Sequence, residues 1–158
     1  MKIGRWLILI SVLALLVATA CSKSAPTTAP TSAPANVSSS ASGEDVAITL
    51  QQWSITPTVT TVPAGSVTFD VSNSGTMPHE FVVMSTDTPA AAFPISSFEG
   101  ESNRFDEDTA GTNVGETGDM EPDTTKALTL DLAPGHYAFV CNLPAHYGLG
   151  MHVDFTVT

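Results

Sequence analysis

Pro134-Gly135-His136-Tyr137-Ala138-Phe139-Val140-Cys141, running on into Asn142-Leu143-Pro144-Ala145-His146-Tyr147-Gly148-Leu149-Gly150-Met151, carries two patterns in succession. Successive side chains of a strand point to opposite faces, so residues of one parity share a side. As a strand, the first half puts Tyr137, Phe139 and Cys141 on an apolar face and His136, Ala138 and Asn142 on the other, which is expected to meet solvent. The second half brings Cys141, His146 and Met151 in turn, five residues apart: a thiol, an imidazole and a thioether. A Cys with two His and a weak axial Met is the donor set of an electron-transfer copper site, so a second His is required. His79, in Met77-Pro78-His79-Glu80-Phe81-Val82-Val83, supplies it, and parity places it with Phe81 and Val83. Met151 leads into the row Val153, Phe155 and Val157, whereas His152 falls with Asp154 and Thr156. The candidate ligands are therefore His79, Cys141, His146 and Met151, with His136 and His152 expected on solvent rows.

The tract Gly135-x-Tyr137-x-Phe139-x-Cys141, with Pro144, His146 and Gly150-Met151 ahead of a final strand, resembles the ligand loop of the cupredoxins, the blue-copper family. Its Cys-x4-His-x4-Met spacing is similar to that of rusticyanin-like and sulfocyanin-like members. Pro78-His79-Glu80-Phe81 resembles the run on which small bacterial plastocyanin- and azurin-type members present their first His. The resemblance spans about residues 44 to 158. It implies a Greek-key β-sandwich holding one type 1 copper, one-electron transfer rather than enzymatic turnover, and His146 as the ligand nearest the surface. The apolar rim around that ligand would comprise Met77, Pro78, Leu143, Pro144, Ala145 and Leu149. Many members carry Asn after the first His, and here Glu80 stands there.

The N-terminus speaks to compartment. Lys2 and Arg5 precede the largely apolar run Trp6 to Ala20, which ends in Ala18-Thr19-Ala20-Cys21. This reads as an export signal over residues 1–20, since its 15 residues fall short of the roughly 17 to 25 that cross a bilayer as a helix. The small-small-Cys ending resembles a bacterial lipobox, which would make Cys21 a lipidated first residue of the mature protein; an ordinary signal peptide or an uncleaved anchor is the alternative. With Cys21 given to lipid and Cys141 to metal, neither of the two cysteines remains for a disulfide. Residues 22–43 are Ala, Ser, Thr or Pro at 18 of 22 positions, too polar to bury a core. The segment 21–43 reads as a tether, with a root-mean-square reach of about 26 Å as a flexible coil.

Residues 44–158 suit a single all-β domain. Period-2 rows occur at Val46, Ile48, Leu50; at Val67, Phe69, Val71; at Phe81, Val83; and at Leu128, Leu130, Leu132. Trp53 to Val62, interrupted by Pro57, reads as an edge strand or a crossing between sheets. Turns are marked at Pro63-Ala64-Gly65, Asn73-Ser74-Gly75 and Ala133-Pro134-Gly135. Short alternating strands with such punctuation argue for a two-sheet sandwich. Residues 99–125 break the pattern with nine acids against Arg104 alone, and read as a long acidic loop insertion.

All sixteen acids fall in the domain against only Arg104 and Lys126, a formal charge of −14. Such a field repels nucleic acid and favours a basic partner, here a redox protein such as a c-type cytochrome or an oxidase. The alternative function is copper trafficking, buffering or resistance, with Met77, Met84, Met120, His136 and His152 as extra soft sites. Four His are too few for a multicopper oxidase, and the chain has no Ser-His-Asp pattern or phosphate loop.

Overall fold

The computed structural model describes residues 43–98 and 101–158. The leader at 1–20 and, save for Gly43, the tether at 21–43 with Cys21 lie outside the described residues. In chain order the strands are β1 (Glu44–Gln51), β2 (Ser54–Pro57), β3 (Thr61–Val62), β4 (Gly65–Asn73), β5 (Val82–Ser85), β6 (Ile95–Phe98), β7 (Glu101–Phe105), β8 (Thr112–Glu116), β9 (Thr125–Leu132), β10 (Gly135–Val140) and β11 (His152–Val157). A single helical turn, α1 (Glu107–Ala110), precedes β8, and 3-10 turns lie at Ala90–Ala92 and Tyr147–Leu149.

One sheet has the order β2-β1-β4-β9 and the other β3-β11-β10-β5-β8, while β6 and β7 form a separate hairpin. The chain expected to cross between sheets does so, since β2 pairs antiparallel with β1 and β3 pairs parallel with β11. This is the expected β-sandwich. The alternating rows face each other inside it: Val46, Ile48 and Leu50 from β1, Val67, Phe69 and Val71 from β4, and Tyr137, Phe139 and Phe155 from the opposite sheet. Phe69 is the hub, with ring centroids 5.5 Å from Phe81, 5.2 Å from Phe139 and 5.9 Å from Phe155. Each such ring buried contributes about 1.5–3 kcal/mol.

Two expectations need correction. First, the face of β10 holding His136, Ala138 and Asn142 does not meet solvent along its length. A second cluster covers it: Val82, Met84, Ala138 and Val140 lie under Ala90, Phe93, Phe105, Ala110 and Tyr147. Parity gives the side of a strand but not whether that side is covered, and here the central strands β5 and β10 are covered on both faces. Second, residues 99–125 are not one loop. Within them β7, α1 and β8 form, and β8 pairs antiparallel with β5 as the edge of the larger sheet, through a register shift between Val83 and Met84. Asp106 caps α1, its side chain accepting from the Asp108 N–H at 3.0 Å.

Candidate metal centre

The site lies where the two ligand segments meet at one end of the sandwich. His79 precedes β5 in an isolated bridge with Met120: His79 N–H donates to Met120 O at 3.1 Å and Met120 N–H to His79 O at 2.8 Å. Cys141 follows β10, where the inward row of Tyr137 and Phe139 continues into it. His146 sits in the loop between Cys141 and Met151. That loop is closed on itself, with Cys141 N–H donating to Met151 O at 3.0 Å and Met151 N–H to His146 O at 3.2 Å. Gly150, at φ 114, turns the chain in the left-handed region that a side chain disfavours.

The donor atoms of His79, Cys141 and His146 all lie within 4.8 Å of one another. The two Nδ1 atoms are 3.2 Å apart, and Cys141 Sγ is 3.3 Å from His146 Nδ1. Met151, the fourth expected ligand, is fully buried in the same core as Cys141. His146 is the most accessible of the four at 8% exposure. Of the expected rim, Pro78, Pro144 and Leu149 are exposed and Met77, Leu143 and Ala145 half-buried. Parity gave no hint of Trp53, which presents its ring edge-on to His146 at a centroid distance of 5.1 Å while 36% exposed.

Burial, and for His79 also the neighbouring His146, lowers the pKa of both imidazoles, which favours the neutral ring that a metal requires. Burial pushes the Cys141 thiol up to about 11, against the Leu143 and Glu80 backbone N–H groups, which favour the thiolate. Glu80 N–H points at Cys141 Sγ at 3.3 Å. The Glu80 carboxyl is itself pushed up to about 7, by burial first and then by Glu116, Glu107 and Asp119, with Arg104 opposing. The thiol therefore keeps its proton at neutral pH, and cation binding here is coupled to its release.

Asn73 organises the first ligand segment. Fully buried, it donates through Nδ2 to Met77 O at 3.0 Å and Met120 O at 2.8 Å, and accepts from Gly75 N–H at 2.9 Å. Both strands of the bridge at His79 are thus tied to one side chain. Gly75 is fixed by close approach: a Cβ there would lie 2.8 Å from His79 Nε2 and 2.7 Å from Gln52 Oε1. His79 Nε2 is buried without a hydrogen-bond partner, and the Gln52 side chain lies against Thr76, donating to its Oγ1 at 2.7 Å. In the sequence, Asn73-Ser74-Gly75 signalled only a turn.

The remaining histidines are elsewhere and only half-buried. His136 has Nδ1 2.6 Å from Thr86 O and Nε2 3.0 Å from Asp154 Oδ1, and the His152 ring lies 5.2 Å from that of Tyr147. Met84 is buried in the outer cluster and Met120 in the main core, so neither offers a surface thioether.

A family model described as the cupredoxin-like domain matches residues 11–151. No curated protein sequence matches the chain. Among solved structures, a dithionite-reduced auracyanin from the photosynthetic bacterium Roseiflexus castenholzii is 23% identical, with a TM-score of 0.52 over 73% of this chain and 98% of that one. Auracyanin B is 20% identical, with a TM-score of 0.52 over 73% of this chain and 88% of that one. Rusticyanin from Thiobacillus ferrooxidans is 22% identical, with a TM-score of 0.45 over 74% and 79% of the respective chains.

Proposed function

The chain belongs to the cupredoxin-like family, and we propose that it is a one-electron carrier whose mononuclear type 1 copper is held by His79, Cys141, His146 and Met151. The observation that carries this reading is the convergence of one buried thiol and two imidazole Nδ1 atoms within 4.8 Å, with no carboxylate among them. A thiolate with two neutral imidazoles selects copper over the hard cations, which need oxygen donors. Copper, when bound, supplies the one-electron couple. The protein residues do the rest. The sandwich fixes His79 and Cys141 before any metal arrives, so little rearrangement accompanies a change of charge. The Glu80 N–H damps charge on the sulfur. The apolar walls exclude water, and His146 offers the shortest way to the surface.

The closed, buried arrangement favours electron transfer over copper delivery. A delivery protein needs exchangeable soft ligands at its surface; of the five extra sites Met84 and Met120 are buried and His136 is engaged by Asp154 and Thr86, which leaves only the half-buried Met77 and His152.

Location and partner follow from the sequence. None of the described helices is long and apolar enough to cross a membrane. We assign residues 1–20 to export, Cys21 to lipidation and 21–43 to a tether, leaving 44–158 outside the cytoplasmic membrane. The partner is a redox protein with a basic docking surface, steered by the domain charge.

The deciding experiment is the visible spectrum of the purified domain after addition of copper(II). A strong thiolate-to-copper band is expected in the wild type and none in Cys141→Ser. Copper(II) binding without the band, or a band that survives the substitution, sinks the assignment.

A further inference from the structure

The ligand loop is held from outside as well as from within. Immediately after Cys141, the side chain of Asn142 turns to the opposite face, 2% exposed, and behaves like the missing peptide of a neighbouring strand. Its Oδ1 accepts from Phe105 N–H at 3.1 Å, and its Nδ2 donates to Phe105 O at 3.1 Å and Glu107 Oε1 at 3.0 Å. Immediately after His146, Tyr147 does the same five residues on. Its hydroxyl donates to Ala90 O at 2.7 Å and accepts from Phe93 N–H at 2.9 Å. Its ring lies 5.0 Å from Phe105 and is stacked on Phe93 at 5.9 Å. Cys141 and His146 are thus each followed by an anchor, and both anchors reach the same cover over β10.

Two further features point the same way. A Cβ at Gly148 would lie 3.0 Å from the Cβ of Asn103, so β7 sits directly on the turn after His146. Ala145, between the two anchors, holds φ 69, a left-handed conformation that costs a non-glycine residue about 1–2 kcal/mol and persists only where its surroundings over-determine it.

We propose that two stretches of the cover, Ala90 to Phe93 and Asn103 to Ala110, form an external brace for the ligand loop, and that Asn142 and Tyr147 are the positioning residues through which it fixes Cys141 and His146. This inference rests on the copper reading for its consequence, a preset site, but not for its test. Asn142→Ala and Tyr147→Phe remove the anchors while leaving every ligand in place. Tyr137→Phe, which removes a hydroxyl bonded to Ala133 O at 2.9 Å away from the loop, is the control.

In the metal-free protein, hydrogen–deuterium exchange at the amides of Cys141, His146 and Met151 is expected to accelerate about tenfold in either anchor variant, the equivalent of one lost hydrogen bond. In the copper-loaded protein, affinity is expected to fall about 10–100-fold, with a changed position or intensity of the thiolate-to-copper band. Tyr137→Phe is expected to alter neither. Amides as protected as in the wild type, with band and affinity unchanged and only the melting temperature lowered, overturn the brace. A wild type without the band overturns the copper reading instead, and the exchange measurement still decides the brace. Should Asn142→Ala fail to fold, Tyr147→Phe, which keeps its ring packed, decides alone.

Discussion

The four histidines fall into two pairs on opposite sides of the larger sheet. His79 and His146 turn Nδ1 atoms toward each other across 3.2 Å, beside a thiol, with no carboxylate in the donor group itself. His136 and His152 lie on the outer side, where His136 spends one nitrogen on Thr86 O and the other on Asp154. What separates a ligand from a surface imidazole is therefore what faces its lone pair. An imidazole whose nitrogens meet a carbonyl and a carboxylate is already satisfied, whereas two neutral rings facing each other in an apolar pocket are matched to a cation.

The contrast breaks most sharply if the wrong pair controls the metal. His79→Ala and His146→Ala are expected to abolish or wholly change the copper spectrum, and His136→Ala and His152→Ala to leave it unaltered. Loss of the band in His152→Ala would show that the pairs have been misassigned.

Next in size is the support of the inner pair. Asn73→Ala deletes the buried amide that ties Met77, Met120 and Gly75 together, and is expected to cost about 2–4 kcal/mol in denaturant unfolding. An effect under about 0.5 kcal/mol, the range of an ordinary surface change, would mean that the His79 segment is held otherwise.

A smaller effect belongs to the thiol between the rings. Its folded pKa, about 11, stands above the 9.0 of an ordinary thiol. Its contribution is thus complete below pH 9 and lost as pH rises toward 11. The metal-free domain is expected to lose about 2–3 kcal/mol over that interval, since each unit is worth about 1.4 kcal/mol. Cys141→Ser should flatten the curve; an unchanged alkaline slope would remove the thiol as its cause.

The smallest expected effect is on the outer pair. The side chains of His136 and Asp154 are 29% and 55% exposed, so His136→Ala is expected to cost about 0–1 kcal/mol. A loss of several kcal/mol would make the outer histidine a structural centre and erase the contrast.

Much of this was legible in the sequence, for a physical reason. The rows Val46, Ile48, Leu50 and Val67, Phe69, Val71 alternate because one face of each strand is buried, and period 2 survives in any sandwich. The convergence of His79, Cys141 and His146 was legible because soft donors at that spacing have few other uses. The cover over β10 was not. Ala90, Phe93, Phe105 and Ala110 come from a 3-10 turn, a loop, a short strand and a single helical turn, and share no period. Asn73, Gly75 and Trp53 were missed because their roles arise from approach across the fold, and local sequence holds no trace of distant neighbours. β8 was hidden by Gly115 and the acid after it, Glu116, yet that glycine is the point where the edge strand meets Leu130, since a Cβ there would lie 2.6 Å from a leucine methyl.

Trp53, edge-on to His146, gives the domain an optical property. The chain has two tryptophans, Trp6 and Trp53, so the domain over residues 44–158 holds a single indole, placed against His146, the most exposed of the four candidate ligands. Its emission then reports on one imidazole and whatever that imidazole holds. Filling, emptying and change of charge at the centre become readable as quenching of one fluorophore, at concentrations far too dilute for colour to be seen and without any label added.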